Sequence, residues 1–180
     1  MLNLWRDLPP GRNPPEEITA VIEIPFGTRN KYELDKHTGL IRLDRVLYSS
    51  MHYPGDYGFI PRTLFLDGDP MDVVVLVKEQ TFPGCLIETR PLGLLRMTDR
   101  GEPDDKVLAV PLRDPYYEEF FDIADIPQHL LKEIEHFFER YKDLEGKRVH
   151  INGWEKSDVA MRVIRESIER FDEQYRALGP

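Results

Sequence analysis

Asp67-Gly68-Asp69-Pro70-Met71-Asp72 puts three carboxylates into six residues, and Val73-Val74-Val75-Leu76-Val77 follows at once. The apolar run is rich in β-branched residues and of strand length, which predicts a buried strand. Gly68 and Pro70 exclude a helix and predict a stiff turn. The acids therefore sit on a rigid bend that leads into a core strand. Like charges this close resist joint ionisation unless a cation lies between them. Hard oxygen ligands suit Mg²⁺, Mn²⁺ or Ca²⁺. The plain alternative is an exposed acidic loop. An EF-hand is excluded by register. With the loop begun at Asp67, Asp72 falls where glycine is needed and Lys78 where glutamate is needed.

Outward from this segment, composition sets bounds. A chain of 180 residues with 41% hydrophobic side chains has the material for one domain with a real core. We expect a single catalytic domain over residues 1–180, with 1–15 as an N-terminal arm. No apolar run reaches membrane-spanning length. Met1 to Pro15 lacks the basic and apolar regions of a signal peptide. One cysteine, Cys85, excludes an internal disulfide framework and fits a reducing cytoplasm. It follows Pro83-Gly84 with no histidine nearby in sequence, which makes it a passive thiol and not a nucleophile. The net charge of -9 argues against a nucleic-acid partner. It leaves an anionic substrate open, because bound metal ions reverse the local field.

Alternation predicts strands at 19–25, 31–35 and 40–43, with Asp44-Arg45 continuing towards Val46-Leu47. Further extended stretches are expected at 73–77, 86–97, 107–110 and 148–154. Met51 to Pro61 is aromatic, holds two prolines and two glycines, and is expected to be irregular. Pro127 opens a helix on which Leu130, Leu131, Ile134, Phe137, Phe138 and Tyr141 recur at helical spacing. A second amphipathic helix over 159–178 carries Ala160, Ile164, Ser167, Phe171, Tyr175 and Leu178 on one side. Strands first, then helix, strand and helix, predict a mainly β fold: a small barrel with two long helices packed outside it.

Several polar residues stand where such a fold could gather them. A second acidic loop carries Asp99 and Asp104. Lys31 and Glu33 share one face of an early strand, with Glu23 one strand before. Arg45, Tyr57, Lys106, Tyr141 and Lys142 lie at strand and helix ends. Carboxylates bind metal, metal binds phosphate oxygen, and lysine, arginine and tyrosine bind the remaining oxygens. Metals also acidify a bridging water. The set suits hydrolysis of a phosphoanhydride without a nucleophilic side chain.

The segment Asp67 to Val73 resembles the signature of the soluble family I inorganic pyrophosphatases. Lys31-Tyr32-Glu33, Asp44-Arg45, Tyr53-Pro54, Asp56-Tyr57-Gly58, Met97-Thr98-Asp99 and the stretch from His136 to Lys142 resemble family segments in the same order. The likeness runs from about Val21 to Trp154, and the chain length is that of the short bacterial type. It implies a five-stranded OB-like barrel and hydrolysis of pyrophosphate to two orthophosphates by a water bridging bound Mg²⁺ ions, with no covalent intermediate. It implies Asp67, Asp72, Asp99 and Asp104 as metal ligands, with Glu33 contacting metal or its waters. Asp69 would accept the proton of the water, with Glu23 and Tyr57 beside it in the catalytic set, and Glu23, Glu33 and Tyr53 would line the site. Lys31, Arg45, Tyr57, Lys106, Tyr141 and Lys142 would bind pyrophosphate. Several Mg²⁺ ions are implied, with Mn²⁺ able to substitute and Ca²⁺ inhibitory. A cytoplasmic homohexamer of two trimers is also implied. One departure is that Glu102 and Pro103 precede Asp104, where the family usually has glycine two places before this aspartate. Here the glycine comes earlier, at Gly101.

Other residues have ordinary explanations. Tyr32, Phe59, Phe137 and Phe138 are expected in the core, and His129 and His136 on a helix surface. Asp35, Asp44, Asp114 and Asp122 are expected to be solvated or capping. Two rival functions exist. OB-type barrels also hold single-stranded nucleic acid or sugars, but a basic groove studded with aromatics is missing from this sequence. A phosphohydrolase of nucleotides or phosphoesters would use similar parts.

Overall fold

The computed structural model describes residues 2–176; Leu178 lies outside the described residues. Nine strands form: β1 (Ile18–Ile24), β2 (Asn30–Leu34), β3 (Ile41–Val46), β4 (Asp56–Phe59), β5 (Asp72–Val75), β6 (Leu86–Asp99), β7 (Glu102–Pro103), β8 (Lys106–Pro111) and β9 (Val149–Lys156). Two long helices join them, α1 (Gln128–Arg140) and α2 (Ser157–Arg176). The order β1-β4-β5-β8-β6 closes on itself, because β6 also pairs with β1 through Ile18↔Thr89 to Val21↔Leu86. Five strands thus form a ring, the barrel expected from the sequence. One pairing in the ring, β5 with β8, is parallel. The 14-residue β6 serves β1, β8, β7 and β9 along its length. The β2–β3 hairpin stands off the ring as a sheet of its own.

The all-apolar run after Asp72 reflects burial on both faces of β5. Val73 and Val75 pack in one cluster with Ala160, Val163 and Ile164 of α2. Val74 and Leu76 pack in another with Leu131, Ile134, Phe137 and Phe138 of α1. Each helix therefore covers its own set of strand side chains, as helical spacing predicts. Phe59 is buried, and His129 and His136 are exposed. Asp114 accepts from the Tyr116 amide at 2.9 Å and Asp122 from the Ala124 amide at 3.2 Å, so both cap turns. Asp122 also accepts from the amide and hydroxyl of Ser157, at 3.1 and 2.9 Å. That remote cap starts α2 at Ser157, two residues before the position the periodicity predicts.

The stretch from Met51 to Pro61 differs from expectation. It contains β4, paired with both β1 and β5. Gly58, which marks a loop in sequence, is here a packing requirement. A Cβ on it would come within 1.9 Å of the Val21 carbonyl oxygen. Only glycine lets β1 approach β4 this closely. Gly58→Ala should therefore force the two strands apart and cost about 3 kcal/mol, the upper part of the range for overpacking. Urea unfolding of the variant checks this; an unchanged midpoint would mean that the pairing has slack.

Candidate active site

A cavity of about 510 Å³ opens beside β5, between the acid turn, the β2 strand and the C-terminal end of α1. Its floor is the turn at Asp67–Asp72. Gly68 has φ +86°, a left-handed value that suits glycine. Asp67 accepts the Asp69 amide at 3.0 Å, and the Asp69 carbonyl accepts the Phe65 amide at 2.7 Å. The bend is thus as stiff as Gly68 and Pro70 imply.

Asp72 opens β5 and lies in register with Lys106 on β8. Adjacent parallel strands carry both side chains to the same side, and Lys106 Nζ donates to Asp72 Oδ2 at 2.6 Å. Asp104 also accepts from Lys106. The second acidic loop is a hairpin. Arg100 (φ 53°) and Gly101 (φ 87°) form its two-residue turn, and β7 pairs Thr98 with Pro103 and Asp99 with Glu102. Glu102-Pro103 is thus accommodated as a short strand that leaves Asp99 and Asp104 on the cavity wall. The neighbouring Asp105 serves the framework instead, accepting from Arg96 at 2.6 Å and from the Met97 amide at 3.2 Å.

Glu23, Lys31, Glu33, Tyr57, Tyr141 and Lys142 line the same cavity. Lys142 donates to Asp99 at 2.7 Å, and Lys31 pairs with Glu33. Two expected residues stand elsewhere. Tyr53 is buried behind the wall, its ring 5.5 Å from Tyr57 and 4.8 Å from Phe137. The Arg45 fork grips Glu145, Nε to Oε1 at 3.0 Å and Nη2 to Oε2 at 3.1 Å, and also Asp44 at 2.5 Å. Glu145 gave no sequence signal, because the pair spans 100 residues. Lys36, Trp5 and Arg100 also line the cavity without having been singled out by the sequence.

Burial shapes the protonation of these groups. It raises Glu23 to about 8; the Leu34 amide bond opposes the rise and the charge of Asp72 adds to it. Burial also raises Asp67 and Asp72 from the usual carboxylate range, with the neighbouring acids adding to the effect. Lys106 runs the other way. Burial alone would discharge it, but Asp72 and Asp104 reverse that and hold the ammonium charged far above its ordinary value. Lys142 is kept charged against its burial by Tyr141 and Asp99. Burial and the charges of Asp72 and Asp104 push Tyr57 well up, so it stays a neutral donor.

Among the described residues, no three carboxylates are gathered as a ready cage for an ion. Lysine ammonium groups stand between them instead: Lys106 between Asp72 and Asp104, Lys142 on Asp99, Lys36 on Asp69. The donor set still fits a hard divalent cation. Five carboxylates, those of Asp67, Asp72, Asp99, Asp104 and Glu33, line one cavity. Asp99 Oδ1 is buried there without a hydrogen-bond partner, a lone acceptor of the kind such a cation satisfies.

Fold and cavity together define a small β-barrel protein with a pocket lined by carboxylates and lysines. The inorganic pyrophosphatase family model matches residues 20–172. An inorganic pyrophosphatase of Haloferax volcanii is 53% identical over 176 residues, 97% of this chain and 99% of that one. One from Geobacillus stearothermophilus is 55% identical over 157 residues, 87% of this chain and 95% of that one. The crystal structure of inorganic pyrophosphatase from Thermus thermophilus superposes with a TM-score of 0.92 at 45% identity, covering 95% of this chain and 99% of that chain. The chain belongs to the inorganic pyrophosphatase family, and its length is that of the short type.

A cation that binds these acids only in the folded state must stabilise the fold. Mg²⁺ at about a hundred times its dissociation constant should add about 2.7 kcal/mol. Thermal unfolding with and without Mg²⁺ measures the shift, and chelation should reverse it. Asp99→Asn should reduce it; a melting temperature indifferent to Mg²⁺ would remove the cavity as a metal site.

Proposed function

We propose that this member of the inorganic pyrophosphatase family, a metal-dependent hydrolase, splits pyrophosphate into two orthophosphates by direct attack of water, with no covalent intermediate. The observation that supports this most is the convergence of the acid turn, the β6–β7 hairpin and four lysines on one cavity. Asp67, Asp72, Asp99, Asp104 and Glu33 are the residues that would hold the metal. Several Mg²⁺ ions, replaceable by Mn²⁺ but not by the longer-bonding Ca²⁺, would supply positive charge to the phosphate oxygens and make a bridging water acidic.

The chain's own groups do the rest. Lys31, Lys106, Lys142 and the hydroxyls of Tyr57 and Tyr141 donate to phosphate oxygens. Arg45 turns its fork from Glu145 to the same anion. Asp69 takes the proton of the attacking water. It stands at the middle of the acid turn, and its side chain is 58% exposed, far more than Asp72 at 25%. The water oxygen bonds to one phosphorus, the bridging P–O bond breaks, and the second phosphate leaves with that electron pair. Glu23 and Tyr57 complete the catalytic set beside Asp72, Glu23 as an uncharged wall near neutral pH and Tyr57 as a donor.

The wider reading is a single catalytic unit over 1–180 with 1–15 as its arm. It assembles in the cytoplasm as a hexamer of two trimers, with the exposed side of α1, including His136, at a subunit contact. No helix among the described residues is long and apolar enough to cross a membrane. Pyrophosphate, and no nucleic acid, is the partner of a chain with net charge -9.

Orthophosphate release from pyrophosphate, ATP and a phosphomonoester, each with Mg²⁺, tests the substrate; hydrolysis confined to pyrophosphate is expected. Inactivity on pyrophosphate with both Mg²⁺ and Mn²⁺ would sink the reading. Roles within the acid turn separate by titration. Asp67→Asn and Asp72→Asn should chiefly raise the Mg²⁺ needed. Asp69→Asn should lower kcat about 10²–10⁴-fold at saturating Mg²⁺, the usual loss for a general base. Recovery of the wild-type rate by added Mg²⁺ would make Asp69 another ligand.

A further inference from the structure

We infer that Lys36 is a positioning residue for Asp69, aiming its carboxylate from a seat on the ring of Trp5; this rests on the proton-accepting role given to Asp69 above. Lys36 lies just beyond β2 and lines the cavity. Its Nζ pairs with Asp69 Oδ1 and stands 5.2 Å from the centroid of the Trp5 ring. Among the described residues this is the one bond made by the Asp69 carboxylate. Each of the three other lysines of the cavity pairs with at least one carboxylate assigned to metal, Lys31 also with Asp44; Lys36 alone pairs with the proton acceptor.

Trp5 is built into the structure that carries the acid turn. It is 2% exposed, although it belongs to the N-terminal arm. Its indole N–H donates to the Thr63 carbonyl at 2.7 Å. The Thr63 hydroxyl accepts the Met71 amide at 2.8 Å, at the far end of the turn. One ring thus supports the ammonium above while being tied to the backbone that presents Asp69. An exposed ion pair of this kind contributes little to stability. Its effect is on direction: a carboxylate held by one donor on a cation–π seat keeps one orientation, and a free one samples several. Placement of a proton acceptor bears on turnover and not on substrate binding.

Steady-state kinetics of Lys36→Met at saturating Mg²⁺, alone and combined with Asp69→Asn, test this. The single variant should lose about tenfold in kcat, the scale of outer-shell partners. KM should stay within about twofold, as expected for a group that does not hold the substrate. The Mg²⁺-induced rise in melting temperature should match the wild type. Lys36→Arg, which keeps both the charge and the ring contact, should restore most of the rate. In the Asp69→Asn background, Lys36→Met should cost nothing further, because the two residues act as a unit. An unchanged kcat in Lys36→Met, a loss expressed in KM, or the same loss in both backgrounds would each overturn the inference. Failure of the underlying reading is separate: Asp69→Asn alone would then keep the wild-type rate.

Discussion

A buried ammonium needs carboxylates around it, and buried carboxylates need a cation between them. Lys106, 3% exposed, sits where Asp72 and Asp104 meet that need together. Taking any one of the three charges into the interior alone would cost several kcal/mol. The triad forms only because β5 and β8 pair in parallel, in a register that sets Asp72 against Lys106. Closure of the barrel and assembly of the cavity are therefore the same event. A slip of one residue in that register would turn Lys106 into the apolar layer and Val107 into the cavity.

Much of this was legible in the sequence because its causes are local. Gly68, Pro70 and the valines fix a turn and a strand whatever surrounds them. The two helices show their buried faces at helical spacing, and the acids of the cavity fall beside strand ends. What stayed hidden depends on distant partners. Gly58 reads as a loop residue until Val21 is brought against it. The first turn of α2 has its cap 35 residues upstream, in Asp122. Arg45 reads as a free cation until Glu145 is folded beside it. Trp5 reads as part of a loose arm, yet its ring packs edge-on to Phe171, with centroids 5.9 Å apart. Local pattern predicts which residues are polar and where a strand begins; it does not say which of them will share a wall.

The charge of the chain is distributed in a telling way. The formal net charge is -9, but Glu33, Asp69, Asp72, Asp99 and Asp104 are each met in the cavity by a lysine. The site is therefore a set of exchangeable pairs. On the proposed function, a metal would take carboxylate oxygens and free the ammonium groups for an anion. Cation and anion would then help each other enter, since each would relieve the groups the other leaves unpaired. Such an exchange would let so acidic a protein seat a highly charged phosphate.

The place of β6 in the chain has a further consequence, for synthesis. This strand closes the ring between β8 and β1 and reaches as far as Asp99. Its partners lie on both sides of it in sequence: β1 before, and β8 and β9 after. Contacts of such long range close slowly. A nascent chain emerges with β1, β4 and β5, which pair with one another, before β6 and β8, the strands that flank them in the ring. Until β6 and β8 leave the ribosome, those strands present unpaired edges to their surroundings. The chain is thus most prone to aggregate when it is about half made, and least prone once β8 has slid in between β5 and β6.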